Sequence, residues 1–269
     1  MSLGSWFGRV AFLALGLTLL FLTLPTVAIF TDTSPGRLLD ALGEPVVLDA
    51  LWLSLKTTVI AVVVIVAVGT PAAYLVARRE FRGRSVTLTL IELPLVMPPA
   101  VAGIALLAAF GPHGIFGPWI NDAGIELVLQ TAGVVVALIF VAAPFYLRQA
   151  VAAFASLDRG RLEASRTLGA GPFRTFVRIA IPEARPGLSS GLALAWGRAL
   201  GEFGATLMFA GSLQGVTQTA PLAIFSRFSD PDGFTAALAI SAVLIAVAAL
   251  ILLSVKLFGA DRALDRTGP

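Results

Sequence analysis

Six long apolar segments constrain the fold of this chain more than any other feature of its sequence. They cover roughly residues 8–30, 50–77, 86–110, 127–154, 184–212 and 233–257. A helix needs about 20 apolar residues to cross the hydrocarbon core of a bilayer, and the backbone of such a segment must satisfy its hydrogen bonds internally. We therefore predict an all-α integral membrane protein in which residues 1–269 form one domain with six transmembrane helices. The first segment leaves an alternative open, a cleaved signal peptide, although its apolar run is longer than a usual signal core.

The composition excludes several classes of function. The chain is 57% hydrophobic and 13% charged, whereas a soluble domain carries about 25% charged residues. It has no cysteine, so disulfides and thiolate metal sites are excluded, and its single histidine, His113, lies in a Gly-Pro-His-Gly turn. The sequence contains no HExxH motif, and we predict no catalytic residues and no metal site.

The distribution of charge predicts the orientation in the membrane. With the N-terminus in the cytoplasm, 15 of the 19 Lys and Arg residues fall on the cytoplasmic side, among them Arg262 and Arg266 near the C-terminus. Only Arg37 and Arg227 fall outside, whereas eight of the sixteen acids, beginning with Asp32, lie in the outer loops. This is the positive-inside pattern of a multi-pass protein of the plasma (inner) membrane with both termini inside. Because the basic residues occupy the connections, the high pI of 9.9 does not indicate nucleic acid binding.

Two of the apolar segments contain helix-breaking residues. The third holds Pro94, Pro98, Pro99 and Gly103, and the second holds Gly69-Thr70-Pro71. Proline removes an internal hydrogen bond and kinks a helix, and such breaks are tolerated in a membrane where neighbouring helices or a water-filled cavity satisfy the backbone. These residues indicate either packing kinks or, for the third segment, the border of a transport route.

The connection at residues 155–183 carries ordered helix punctuation. Ser156 or Asp158 is expected to cap a first short helix, and Gly169 suits its left-handed C-terminal position. A second short helix is expected to begin at Pro172 and to end at Pro182. Its apolar residues recur at helical spacing: Phe173, Phe176, Val177 and Ala180. We predict two short helices joined by a glycine hinge on the cytoplasmic face.

The spacing of this connection resembles the EAA loop of type I ABC-importer permeases. The resemblance is carried by Glu163, Ala164, Gly169, Ile179 and Pro182, with Ser165 where the family usually has Ala and Ile181 where it usually has Leu. It implies a type I permease fold in which Glu163, Ala164, Ser165, Gly169, Ile179 and Pro182 couple the chain to an ATP-hydrolysing subunit. It further implies a homodimer with two cytoplasmic ABC ATPase subunits and an extracellular or periplasmic binding protein.

The chain has no ATP site of its own. A P-loop requires a glycine-rich turn followed by Lys-Ser/Thr. The two lysines, Lys56 and Lys256, follow Leu-Ser-Leu and Leu-Ser-Val. ATP and Mg are therefore expected on the partner ATPase, and this chain is not itself expected to be an enzyme.

The fifth segment holds the candidate residues of the translocation pathway. Arg198 and Glu202 are four residues apart, so they share a helix face, and ionisable groups within a span are candidates for function. Either a structural ion pair or a gate on an anion route explains them, and Glu92 is a second candidate partner for Arg198. Glycines at small-xxx-small spacing favour close helix packing. The full candidate set is Arg198, Gly201, Glu202, Phe203, Gly204 and Glu92.

The stretch from Arg198 to Gly211 is similar to the molybdate branch of the permease family, which also serves tungstate. The sulfate branch is a close relative and usually has Tyr in place of Phe203. The resemblance implies import of molybdate or a related tetrahedral oxyanion, with sulfate, thiosulfate or tungstate as alternatives. A stand-alone secondary transporter is a further alternative, but it leaves the EAA spacing unexplained.

Overall fold

The computed structural model describes residues 6–31 and 34–260, without the side chains of Arg159, Arg166 and residues 255–260. Asp32, Arg262 and Arg266 lie outside the described residues. The described part is helical and contains no strand, which confirms the all-α prediction. Its helices are α1 (Trp6–Thr31), α2 (Pro35–Leu42), α3 (Pro45–Arg78), α4 (Arg84–Val96), α5 (Pro99–Phe110), α6 (Gly117–Asp122), α7 (Thr131–Ala155), α8 (Arg159–Thr167), α9 (Pro172–Thr175), a π-helical segment (Phe176–Ala180), α10 (Ile181–Leu200), α11 (Gly204–Ala210), α12 (Ala220–Phe228) and α13 (Phe234–Ala260).

Four helices of the described part are long and apolar enough to cross a membrane: α1, α3, α7 and α13. The pair formed by α4 and α5 would supply a fifth crossing if the two count as one bent span. The α10–α11 pair is not among these candidates. Six crossings with both termini inside therefore remain a prediction.

The third apolar segment is two helices and not one. α4 and α5 meet at an angle of 118°, and Met97 and Pro98 between them have extended backbone conformations. Proline pushes the preceding residue out of the helical region and donates no hydrogen bond, so Pro98 and Pro99 together end one helix and start the next. A lone proline has a weaker effect, because Pro71 and Pro94 both remain inside helices.

The fifth apolar segment is also divided. α10 ends at Leu200, three residues interrupt the helix, and α11 runs from Gly204 to Ala210. The sequence prediction of one span over 184–212 is corrected in this respect. The break lies at Gly201-Glu202-Phe203, three of the candidate pathway residues.

The core of the bundle is formed by α3, α7 and α10. Small side chains allow close approach, since Ala61, Ala142 and Ala150 are completely buried. A Cβ added at Gly69 of α3 would lie 3.2 Å from the Tyr146 ring of α7, and the Tyr146 hydroxyl hydrogen-bonds the Thr70 hydroxyl at 2.6 Å. A paired hydroxyl can be buried without the penalty of an unsatisfied polar group, so this bond fixes the register of α3 against α7.

Each end of α3 contacts a connection that the charge pattern predicts to lie on the same side of the membrane as that end. At one end the Arg78 guanidinium donates to the Leu157 carbonyl at 3.0 Å, next to the EAA-like connection. At the other end Arg227 forms an ion pair with Glu44 at 3.0 Å. The connections predicted to be cytoplasmic and those predicted to be external are therefore at opposite ends of the bundle. α1 stands apart from this core and has no buried residue.

Candidate functional site

The turn at Gly169 determines the shape of the EAA-like segment. α8 begins after Asp158, whose side chain accepts a hydrogen bond from the Gly160 N–H at 2.8 Å. The helix ends at Thr167. Gly169, just beyond it, has a φ of +82°, and the Ala170 N–H donates to the Ser165 carbonyl at 3.0 Å. A left-handed glycine followed by this bond is the Schellman ending of a helix. A Cβ added at Gly169 would meet no atom within 4 Å. Glycine is therefore required here by the left-handed backbone conformation and not by a lack of space.

The α8 helix is held against the bundle by its inner face. Leu162 and Ser165 are buried, and the Ser165 hydroxyl hydrogen-bonds the buried Thr175 hydroxyl of α9 at 2.7 Å. Arg161 adds an ion pair to Glu183 of α10 at 3.0 Å. Ser165, which the sequence comparison treated as a small departure from Ala, thus links α8 to α9. The sequence carried no signal for its partner Thr175.

The outer face of the same segment is exposed and partly apolar. Leu168 and Phe173, on either side of the Gly169 turn, are 88% and 79% exposed. Glu163 and Ala164 are exposed as well. Large apolar side chains that remain exposed mark surfaces for interaction with another molecule. We refer to Glu163, Ala164, Leu168, Gly169 and Phe173 as the coupling surface.

Pro182 does not end the second short helix, and the sequence prediction was wrong on this point. α9, the π-helical segment and α10 follow one another without a gap from Pro172 to Leu200. Pro182 is the second residue of α10 and directly follows the π-helical segment. The Ile181 N–H donates to the Phe176 carbonyl in the wider i→i+5 pattern. The coupling surface is therefore joined directly to α10 by helical backbone.

The predicted apolar face of the second short helix is divided. Phe176 packs on Tyr74 with ring centroids 4.8 Å apart, and Ala180 is fully buried. Ile179 is half-buried against the same core. Phe173 and Val177 are exposed instead. The inner residues anchor the helix to the bundle, and Phe173 is left for the coupling surface.

The helix break in the fifth segment is organised by Glu202. Its side chain is 1% exposed; Oε1 accepts a hydrogen bond from the Ala205 N–H at 2.7 Å, which caps α11. Its Oε2 lies 2.5 Å from Nη2 of Arg198, whose side chain is 27% exposed. One carboxylate thus neutralises the cation at the end of α10 and satisfies the start of α11. The predicted pairing of Arg198 with Glu202 is present. Its geometry fits the interpretation as a structural ion pair, because the carboxylate joins the end of α10 to the start of α11.

Glu92 does not pair with Arg198. Its nearest cationic partner is Arg148 of α7, at 3.8 Å between two well-exposed side chains. Exposed pairs at this distance contribute little to stability. The break and Glu92 are therefore separate features, and no local sequence signal pointed to Arg148, which lies in the next apolar segment.

The glycines of the break fall into two classes. A Cβ added at Gly204 would lie 2.8 Å from the Cβ of Pro99, and one at Gly103 would lie 2.6 Å from the Cβ of Met208. These two glycines let α5 and α11 pack closely. Gly197 has no atom within 4 Å of its added Cβ, and Gly201 meets only a backbone carbonyl at 3.7 Å. Close packing within the chain therefore explains Gly204 but neither Gly197 nor Gly201.

In the part of the chain that the structure describes, no three His, Cys, Asp or Glu side chains are grouped as a metal ion would require. Glu92, Glu183 and Glu202 instead pair with arginine. The arrangement is that of a helical bundle with an exposed surface at one end and a capped helix break within it.

Comparison with known proteins identifies the family. The family model described as "Binding-protein-dependent transport system inner membrane component" matches residues 69–267. The molybdenum transport system permease protein ModB of Mycobacterium tuberculosis is 43% identical over 238 residues, which cover 88% of this chain and 89% of the relative. The sulfate transport system permease protein CysW of Synechocystis is 33% identical over 246 residues, 89% of this chain and 88% of the relative.

The fold is shared with a solved transporter. A chain in the crystal structure of a bacterial ABC transporter involved in the import of the acidic polysaccharide alginate superimposes with a TM-score of 0.77 and 16% identity. The match covers 95% of this chain and 96% of the other. The family match confirms the resemblance seen in the EAA-like spacing. This chain belongs to the binding-protein-dependent transport system inner membrane components, and it is a multi-pass permease subunit of an ABC importer.

Proposed function

We propose that this permease imports molybdate or a closely related tetrahedral oxyanion. The single observation that carries the choice of substrate is the relative named as a molybdenum transport permease, which is 43% identical over nearly the whole chain. The stretch from Arg198 to Gly211 resembles the same branch. Sulfate is the second candidate, because a relative named as a sulfate permease is 33% identical over a similar length.

The transporter would be assembled from several subunits. We propose a homodimer of this chain with two cytoplasmic ATPase subunits, which bind ATP and Mg, and with a separate oxyanion-binding protein on the outer side. Each copy would cross the lipid bilayer six times, with both termini in the cytoplasm. The positive-inside charge pattern supports this orientation, as does the grouping of Arg78 with the EAA-like connection at one end of α3.

The coupling surface would receive the movement of the ATPase subunits. Glu163, Ala164, Ser165, Gly169, Ile179 and Pro182 are the proposed coupling residues. Support comes from the continuous helix between Pro172 and Leu200, because a displacement of the exposed end would be carried into α10 with little bending. Rocking of rigid bundles around a central site is the general solution for alternating access.

The helix break at the end of α10 is the proposed pathway element. Arg198, Gly201, Glu202, Phe203, Gly204 and Glu92 were the sequence candidates. Gly201 is supported by the open space around it, and Arg198 by its partial exposure. Glu202 is a positioning residue in this proposal, because its carboxylate is buried and engaged by both helices. A transported dianion would contact the exposed edge of the Arg198 guanidinium and not the buried Glu202 carboxylate.

Uptake by proteoliposomes tests the proposed substrate. The permease would be reconstituted with the proposed ATPase and oxyanion-binding partners, and ATP-dependent uptake of radiolabelled molybdate would be measured. Competition by unlabelled tungstate and sulfate then separates the alternatives. We expect tungstate to compete and sulfate to compete weakly; uptake of sulfate in preference to molybdate would contradict the proposal.

A further inference from the structure

A cavity of about 750 Å³ lies between α3, α10 and α13, next to α9 and the π-helical segment. Its walls are mainly apolar and include Val66, Leu192 and Ile251 from the three helices. This volume is in the range of sites that bind small molecules. Among the described residues of its lining, Phe173 belongs to the coupling surface and none belongs to the break at Gly201. The function proposed above assigns no role to the rest of the wall.

The polar groups of the cavity are unevenly distributed. Arg185 lies in its lining near the start of α10, is exposed, and forms no ion pair with any described residue. Deeper along α10, the buried indole Nε1 of Trp196 has no hydrogen-bond partner in the described part of the chain. The hydroxyls of Thr70 and Tyr146, which also line the cavity, satisfy one another. Among the described side chains, the lining is thus an apolar chamber whose coupling end carries Arg185, a cation without an ion-pair partner.

The position of Arg185 shows where the cationic end of the cavity lies along the bundle. Glu183, two residues earlier, is paired with Arg161 of α8 at 3.0 Å. The cationic end of the cavity therefore lies beside the coupling surface, where an orientation with this surface in the cytoplasm places the phosphate groups of the inner leaflet. The apolar part extends from there toward the bilayer centre.

We propose that the cavity binds one acyl chain of an anionic phospholipid of the cytoplasmic leaflet, with the lipid phosphate at Arg185. Basic pockets between transmembrane helices on this side bind acidic head groups. A helix from a second copy of the chain would also cover apolar walls, but it would leave the Arg185 charge without a partner. The complementarity of one cation and an apolar chamber therefore favours the phospholipid.

A lipid in this cavity would touch the π-helical segment directly. Phe176 and Ile181, on either side of the π-helical turn, are part of the wall. The wider turn leaves this backbone less well hydrogen-bonded than an α-helix. Filling the chamber would stiffen the connection through which α9 is joined to α10.

Native mass spectrometry of the full chain in detergent tests the proposal, with titration of phosphatidylglycerol against phosphatidylcholine. We expect tighter retention of phosphatidylglycerol. Arg185→Gln should weaken it about fivefold, the effect of about 1 kcal/mol for one basic residue near the membrane surface, and should leave phosphatidylcholine unchanged. Arg82→Gln, which removes an exposed charge from another connection, is the matched control.

A second pair of variants tests the chamber itself. Ala67→Trp places a bulky ring at the cavity wall, whereas Val68→Trp places the same ring on the exposed face of the same helix. Loss of the retained lipid only in Ala67→Trp supports the proposal. Equal retention of the two lipids, an Arg185→Gln variant that behaves like Arg82→Gln, or conversion of a dimer to a monomer by Ala67→Trp without loss of lipid would overturn it. None of these outcomes depends on which ion is transported.

Discussion

Replacement of Gly169 by alanine tests whether the left-handed turn defines the coupling surface. With φ at +82° and no atom within 4 Å of an added Cβ, the substitution introduces backbone strain and no clash. For a residue other than glycine this conformation costs about 1–2 kcal/mol. Gly171 offers a matched control, because its φ is −65° and its added Cβ also meets nothing. Gly171→Ala should therefore be neutral.

Hydrogen exchange at the Ala170 N–H measures this difference where it arises. That group donates to the Ser165 carbonyl only while the turn is formed, and a loss of 1–2 kcal/mol corresponds to a fall of about 5–30-fold in protection. Gly169→Asn should fall between glycine and alanine, because asparagine tolerates the left-handed region. Uptake per ATP hydrolysed should fall in the same order. Equal protection in Gly169→Ala and Gly171→Ala would refute the reasoning.

Three further pairs of substitutions test the contacts around the two candidate regions, and each is followed by the melting temperature in detergent. Glu202→Ala should lower the free energy of unfolding by about 3–5 kcal/mol because it leaves a cation unpaired and a helix uncapped, and Glu202→Gln should lower it less; equal losses would show that the cap is unimportant. Ser165→Ala should lose about 1–3 kcal/mol by leaving the Thr175 hydroxyl unsatisfied, and adding Thr175→Val should restore part of this loss; a further decrease would contradict the hydrogen bond. Gly103→Ala should lose about 1–3 kcal/mol by forcing α5 from α11, whereas Gly197→Ala should be neutral or slightly stabilising; a tolerated Gly103→Ala would refute the close approach.

The sequence predicted those features that depend on local chemistry. The all-helical class followed from the length of the apolar segments, and the Gly169 turn, a cap at Ser156 or Asp158 and the Pro172 start of α9 followed from residues with strong conformational preferences. Of the two cap candidates, Asp158 accepts the hydrogen bond. The family followed from spacing alone, since Glu163, Gly169 and Ile179 stand at fixed distances. These signals involve residues close together in the chain, so they survive without knowledge of the tertiary structure.

The features that the sequence did not predict depend on tertiary contacts or on the summed effect of neighbours. Hydropathy alone cannot separate a straight span from the 118° bend between α4 and α5. Pro182 was read as a helix end because proline usually stops a helix, yet the preceding π-helical turn removes that conflict. Charge offered Glu92 as a second candidate partner for Arg198, and the fold brings Glu92 close to Arg148 instead. The partner of Ser165 also lay beyond sequence reasoning, since it depends on how α8 folds back on α9.

The proposed function requires the coupling surface to face the cytoplasm and to contact a separate ATPase subunit. The chain has no cysteine, so a single cysteine reports on one position without background. In intact cells, Leu168→Cys should be protected from a membrane-impermeant thiol reagent and should cross-link to the ATPase subunit. Ile115→Cys, an exposed position in the predicted external connection after α5, should react with the reagent and form no such cross-link. Labelling of Leu168→Cys from outside, without cross-linking to the ATPase, would show that the coupling surface neither faces the cytoplasm nor contacts that subunit.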